Sequence, residues 1–285
     1  MADRIETLPR KSTEPKPKRP RATPLIRHIV VSDNHEFVGR VYDLGIIAYH
    51  FDSYEDLARH PDCKYAFHVN HTLSSLTRRV ESLNLVGDML WPERVMKDFK
   101  DFPVSRYEWL TIAADVFLMR FISIIDCALI LANDVYETGL APQKCSIDQL
   151  RRAGVPSKLL SVLEEVRTDQ GDLRPERNAR FHHGAERAFT DDSNTFQMAA
   201  RFEQWGNGVL GHDQHGRRIN VVRSFREGLV ELQREFNVAT RKLVRHLDAF
   251  YDLVGVEFES RFTPRIRAAT HGFNAGSRAR EVSKK

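Results

Sequence analysis

Apolar residues recur three and four positions apart along most of this chain, the period of an amphipathic helix. Phe37, Val41, Leu44 and Ile47 predict one helix and a turn within 34–58, and Leu73, Leu76, Val80, Leu83 and Val86 predict a helix over about 66–88. Pro92 suits the first position of a short helix near 92–100. A long apolar stretch predicts a helix over about 106–137 that stops before Gly139 and Pro142. Residues 146–166 read as another helix, broken near Gly154-Val155-Pro156.

A helix over about 175–189 follows, with Pro175 at its first position, and then a short one over 193–205. Gly206, Gly208, Gly211 and Gly216 punctuate 206–222, which reads as a loop or a small β-hairpin turning at Gln214-His215-Gly216. Phe225, Leu229, Leu232, Phe236, Leu243, Leu247 and Phe250 predict a last long helix over 222–258. The pattern is that of an all-α protein, an antiparallel helical bundle with one Gly-rich excursion.

Composition bounds the class. With 285 residues, 41% hydrophobic and 29% charged, the chain can bury a core of one or two domains. The most apolar stretch, Trp109 to Ala132, is interrupted by Asp115, Arg120 and Asp126, so it reads as a buried helix rather than a membrane span. The polar, Pro-rich start lacks the apolar core of a secretory signal. Three irregularly spaced cysteines, Cys63, Cys127 and Cys145, argue against a disulfide framework and for a reducing compartment. The expectation is a cytoplasmic protein without a membrane partner.

Charge divides the chain. Residues 1–24 carry a net +4 and residues 262–285 a net +5, so with +4 overall the body between them is acidic. Both ends are poor in apolar groups, which predicts a disordered basic tail over 1–24, a helical domain over 25–262 and a second disordered basic tail over 263–285. Basic tails can hold nucleic acid loosely through phosphates, or remain solvated ends. The acidic body confines any RNA contact to a local cleft plus the tails.

One segment concentrates chemistry: Arg177-Asn178-Ala179-Arg180-Phe181-His182. A guanidinium can clamp phosphate oxygens with paired donors. An imidazole that titrates near neutral pH can act as general acid or base. On a helix Asn178 and His182 share a face, whereas Arg177 stands about 140° from His182. The two can cooperate if the helix begins near Pro175, where free N–H groups also favour phosphate, or if a second copy completes the site. Phe181, Ala185, Ala188 and Phe189 form the stripe expected to anchor this helix. Read alone, the string also fits an Arg/His-rich surface helix.

With its preceding helices, this motif resembles the HEPN superfamily, helical bundles marked by Arg, four to six residues, then His, often with a polar residue after the Arg. The resemblance covers roughly 66–258. It implies a metal-independent endoribonuclease without cofactor, acting as a homodimer whose two motifs meet in one cleft. His182 would move the proton, Arg177 would stabilise the phosphate and Asn178 would orient it. Attack of the ribose 2′-OH would leave a 2′,3′-cyclic phosphate, so DNA would resist cleavage. A toxin or defence role, with an antitoxin or regulatory partner, belongs to the same implication. Members paired with nucleotidyltransferase antitoxins often have Tyr two residues after the motif His, where this chain has Gly184. Other members are catalytically silent modules that bind a protein, nucleotide or RNA.

Further candidates surround the motif. Asp126, one turn beyond Ser123, could hold Arg177 or His182 or be an ordinary solvent-facing carboxylate, and His183 could assist. Arg180 and Arg187 read as a solvated face. His60, Cys63, His68 and His71, and separately His212 and His215, lack the accompanying pattern of a zinc site, so no metal is expected.

Overall fold

The computed structural model describes residues 25–31, 34–92, 99–100, 102–269 and 272–274. The tail 1–24, most of the helix expected near 92–100, and 275–285 lie outside the described residues.

Long helices build the body. α1 (Glu36–Gly45) leads through a 3₁₀ turn, Ile46–His50, to α2 (Tyr54–Ala58). The helix expected over 66–88 is two: α3 (Pro61–Glu81) and α4 (Leu83–Leu90), meeting at Ser82. α3 starts earlier than its apolar period suggests because Pro61 occupies the helix start, where a missing N–H costs nothing.

α5 (Arg106–Tyr136) is the centre of the fold, and its apolar side chains point in nearly every direction. A capping box sets its start: Ser105 Oγ accepts from the Glu108 amide at 3.3 Å, and Glu108 Oε2 accepts from the Ser105 amide at 2.7 Å. It ends at Glu137, whose left-handed backbone (φ 49°) closes the last turn. Asn133 Oδ1 takes up the amide of Leu140 at 3.0 Å and the Thr138 hydroxyl.

α6 (Ile147–Arg152), α7 (Ser157–Asp169), α8 (Leu173–His183) and α9 (Ser193–Gln204) return along the bundle to α10 (Val221–Ala268). The Gly-rich segment before α10 holds one isolated antiparallel bridge, His212 to Arg218, around the turn closed by Gly216 N–H on Asp213 O. α10 continues through Pro264 and beyond the boundary expected at 262, and a 3₁₀ turn, Gly272–Asn274, follows. Phe262, packed between Phe258 and Phe273, and Arg265, paired with Glu137, hold this extension on the body. Residues 263–269 and 272–274 therefore do not belong to a tail.

Helix directions are mixed rather than purely antiparallel. Tyr65 near the start of α3 donates to Val135 O near the end of α5, so α3 opposes α5. α10 runs parallel to α5: Phe236 packs on Phe117, and farther along Arg261 and Arg265 reach Glu137. The intervening helices α6 to α9 carry the chain back, which allows this parallel pair. Between the two helix starts Arg106 is buried, 2.8 Å from Glu203 and 4.3 Å over the Phe99 ring. No described helix is long and apolar enough to cross a membrane.

Candidate functional site on α8

α8 begins before its proline. Gly171 turns in the left-handed region (φ 45°), and Leu173 N–H bonds to Gln170 O. Pro175 is then third in the helix, still among the residues whose N–H groups have no intrahelical acceptor, so it costs no bond. Arg177 consequently lies past the first turn, and the free N-terminal N–H groups belong to the residues before it. At the other end Gly184, at φ 65°, terminates the helix just after His182 and His183. The expected continuation to 189 is cut by this residue.

The anchoring stripe is a second correction. Phe181 is 44% exposed, and Ala185 and Ala188 lie beyond the helix end on the surface. Of the four expected residues only Phe189 is buried, edge-on to Tyr107 at 5.6 Å. Leu173 and a set of ion pairs hold α8 instead.

Arg180, expected on a solvated face, is 5% exposed and donates to Asp115 on α5 at 2.7 Å. Arg187, in the segment that follows α8, lies between Glu176 at 3.5 Å, Glu231 at 3.6 Å and Glu235 at 2.8 Å, and so ties the start of α8 and the chain beyond it to α10. Burial pushes the Glu176 carboxyl above its usual range; Arg187 opposes the shift, Glu235 adds to it, Arg180 opposes it and Asp115 adds to it. The Glu176–Arg180 spacing of four was the available sequence sign of this network.

Three predicted site residues are left by contrast without such partners. Arg177 is half-buried, while Asn178 and His182 are exposed, and none makes an ion pair or side-chain hydrogen bond among the described residues. His183 is also exposed, its ring 6.5 Å from that of His182. Asp126 retains solvent access, yet partial enclosure pushes its carboxyl above the usual range while Arg174 and Arg177 pull it back. α5 thus places Asp126 within electrostatic reach of Arg177 but not in an ion pair with it. Ser123 is turned to its own helix, donating to Arg120 O at 3.0 Å.

Arg177 and His182 do not converge within one chain. Five helical residues separate them by about 7.5 Å of rise and about 140° of rotation. Cavities of about 380, 560 and 270 Å³ lie elsewhere, and none is lined by Arg177, Asn178 or His182. The motif face is open.

Several residues of the other candidate clusters have structural roles. His68 Nε2 is 2.7 Å from the Tyr54 hydroxyl. Cys63 is fully buried, and desolvation, with Asp62 beside it, pushes its thiol up to about 12. Asp213 accepts from the amides of His215 and Arg217, fixing the Gly-rich turn. Among the described residues no three His, Cys, Asp or Glu are grouped to hold a metal ion.

No family model, curated protein or solved structure matches this chain.

Proposed function

We propose that the chain is a HEPN-like, metal-independent endoribonuclease whose reaction site forms between two copies at the open face of α8. The observation that carries this reading is the unequal use of the cations on and beside α8. Arg180 and Arg187 are consumed by ion pairs that hold the helix, whereas Arg177, Asn178 and His182 remain accessible. A cation, an amide and an imidazole presented together suit a phosphodiester undergoing proton transfer. Their divergence within one helix supports a composite site, because a second α8 supplies the group that the first turns away.

In this reading the ribose 2′-oxygen attacks the adjacent phosphorus and the bond to the 5′-oxygen breaks. His182 moves the proton from the 2′-OH toward the leaving oxygen. Arg177 binds the non-bridging oxygens as charge develops on them, and Asn178 orients the same group. Asp126 acts on Arg177 only through its charge, without pairing with it. His183 is a supporting residue.

The divergence also supports a second reading, a catalytically silent helical module that binds RNA, a nucleotide or a protein. Labelled RNA incubated with purified protein in EDTA separates the two. The first reading expects products ending in 2′,3′-cyclic phosphate, lost in Arg177→Ala and His182→Ala, from a protein that sediments as a dimer. A folded wild type that cleaves no RNA leaves the silent module, and an unchanged rate in His182→Ala removes His182 from the reaction and overturns the proposed site.

A further inference from the structure

Residues 25–31 cross the body as an extended strap, held mainly through its main chain by side chains of α4 and α10. Asn84 on α4 accepts from Val30 N–H at 2.9 Å and donates to Val30 O at 2.8 Å. Asn237 on α10 accepts from His28 N–H at 2.8 Å and donates to Ile26 O at 2.8 Å. Trp91 Nε1, at the end of α4, donates to Leu25 O at 2.7 Å. Each asparagine thus uses both ends of its amide, reading the strap as a neighbouring β-strand would.

Two side chains are read as well. Arg27 enters a slot over Gly87, donating to Asn84 O at 2.6 Å and pairing with Asp88. A Cβ on Gly87 would collide with Arg27 Nε, so the slot exists only because residue 87 has no side chain. Val30 is fully buried, and His28 Nδ1 is 2.9 Å from Thr240 Oγ1.

Leu25 is half-buried, and the other three apolar side chains point the wrong way for a segment that only completes a core. Ile26 is 82% exposed and Ile29 55%, and Val31 is also exposed. One buried valine and a set of polar bonds hold the strap, which is the make-up of a bound peptide rather than of a core strand.

We propose that the cleft between α4 and α10 is a peptide-binding groove, and that residues 25–31 are its resident, exchangeable ligand. The class it takes is an extended peptide with arginine and, three residues later, a small β-branched residue. Main-chain bonds supply affinity, and the slot at Gly87 and the Val30 site supply selectivity. In the intact chain the resident segment competes at high effective concentration, so an outside peptide binds weakly until the strap is displaced.

Full-length protein carrying Arg27→Glu and Val30→Asp tests this, because the first change sets a carboxylate against Asp88 and the second forces one into the core. The expected result is unchanged helical circular dichroism and saturable binding, by fluorescence anisotropy, of a labelled peptide with the native sequence of residues 24–32. Binding should weaken at least about ten-fold when the peptide carries Arg27→Glu, or when Asn84→Ala and Asn237→Ala are added to the protein. A folded variant that binds no peptide, or binds both peptides equally, overturns the proposal. Should the variant fail to fold, hydrogen exchange on the wild type decides. The His28 and Val30 amides are expected to exchange at least about 100-fold faster than that of Phe236. Exchange in step with Phe236 makes the strap an inseparable part of the fold and overturns the groove.

Discussion

Arg180 on α8 and Asp115 on α5 meet at 2.7 Å with the guanidinium almost wholly removed from solvent, and this pair fixes the helix that presents Arg177 and His182. Removing Arg180 strands Asp115 and leaves Glu176 without one of its neighbouring cations. Arg180→Ala is therefore expected to destabilise the protein by roughly 3 kcal/mol, read as a lower midpoint in urea unfolding. An unchanged midpoint would mean that the pair contributes nothing to holding α8.

Arg177→Ala should behave in the opposite way. Arg177 makes no ion pair among the described residues, so the change in stability should stay within about 0.5 kcal/mol. Under the proposed function the same variant loses RNA cleavage by about two orders of magnitude or more. A variant that loses stability and activity together would instead give Arg177 a structural role.

Glu176 gives a pH signature. Its folded-state pKa is raised, with burial the largest cause, so its contribution to stability is full below the unfolded pKa. That contribution is lost as pH rises through the folded pKa. Glu176→Gln removes the titration, so its stability relative to wild type should improve as pH rises from about 4 to above the folded value. Paired urea titrations across this range measure the difference, and a constant offset between the two proteins would refute the assignment.

Ser105→Ala opens the capping box of the central helix. Ser105 is buried and satisfies the Glu108 amide, so the loss should be about 1 kcal/mol, visible as a reduced thermal midpoint. Ser105→Asp, which restores an acceptor, should recover part of it. Equal losses in the two variants would point to packing rather than capping.

Cys63 should resist iodoacetamide in the native protein at pH 8, because burial and neighbouring Asp62 hold its thiol protonated. Mass mapping after a short pulse is expected to find its modification only after denaturant is added. Labelling of Cys63 ahead of the less buried Cys127 and Cys145 would contradict this.

Helix periodicity carried most of the architecture, because a helix that faces one core repeats its apolar residues every three to four positions whatever its partners are. The break at Gly154 was legible from a local signal, whereas the end of α8 at Gly184 was missed and the expected helix extended to 189. The break at Ser82 was not legible either, since Leu73 through Val86 keep one apolar phase across it and all five are buried. The start of α8 was misplaced because Pro175 is tolerated at any of the first helical positions. Arg180 and Arg187 looked like surface charge because their partners Asp115 and Glu235 lie 65 and 48 residues away. The strap left no periodic trace, and the asparagines that grip it are 54 and 209 residues from their targets. The chemistry of the motif was readable as a set of residue types, but its direction in space depended on where α8 begins.

Glu235 and Asn237 stand about 200° apart around α10 at nearly the same height. Glu235 grips Arg187 in the segment that follows the motif helix, and Asn237 grips the strap. α10 is therefore clasped from opposite sides at a single level along its 48 residues. One rigid rod thus sets the spacing between the strap on one side and the segment that follows the motif helix on the other.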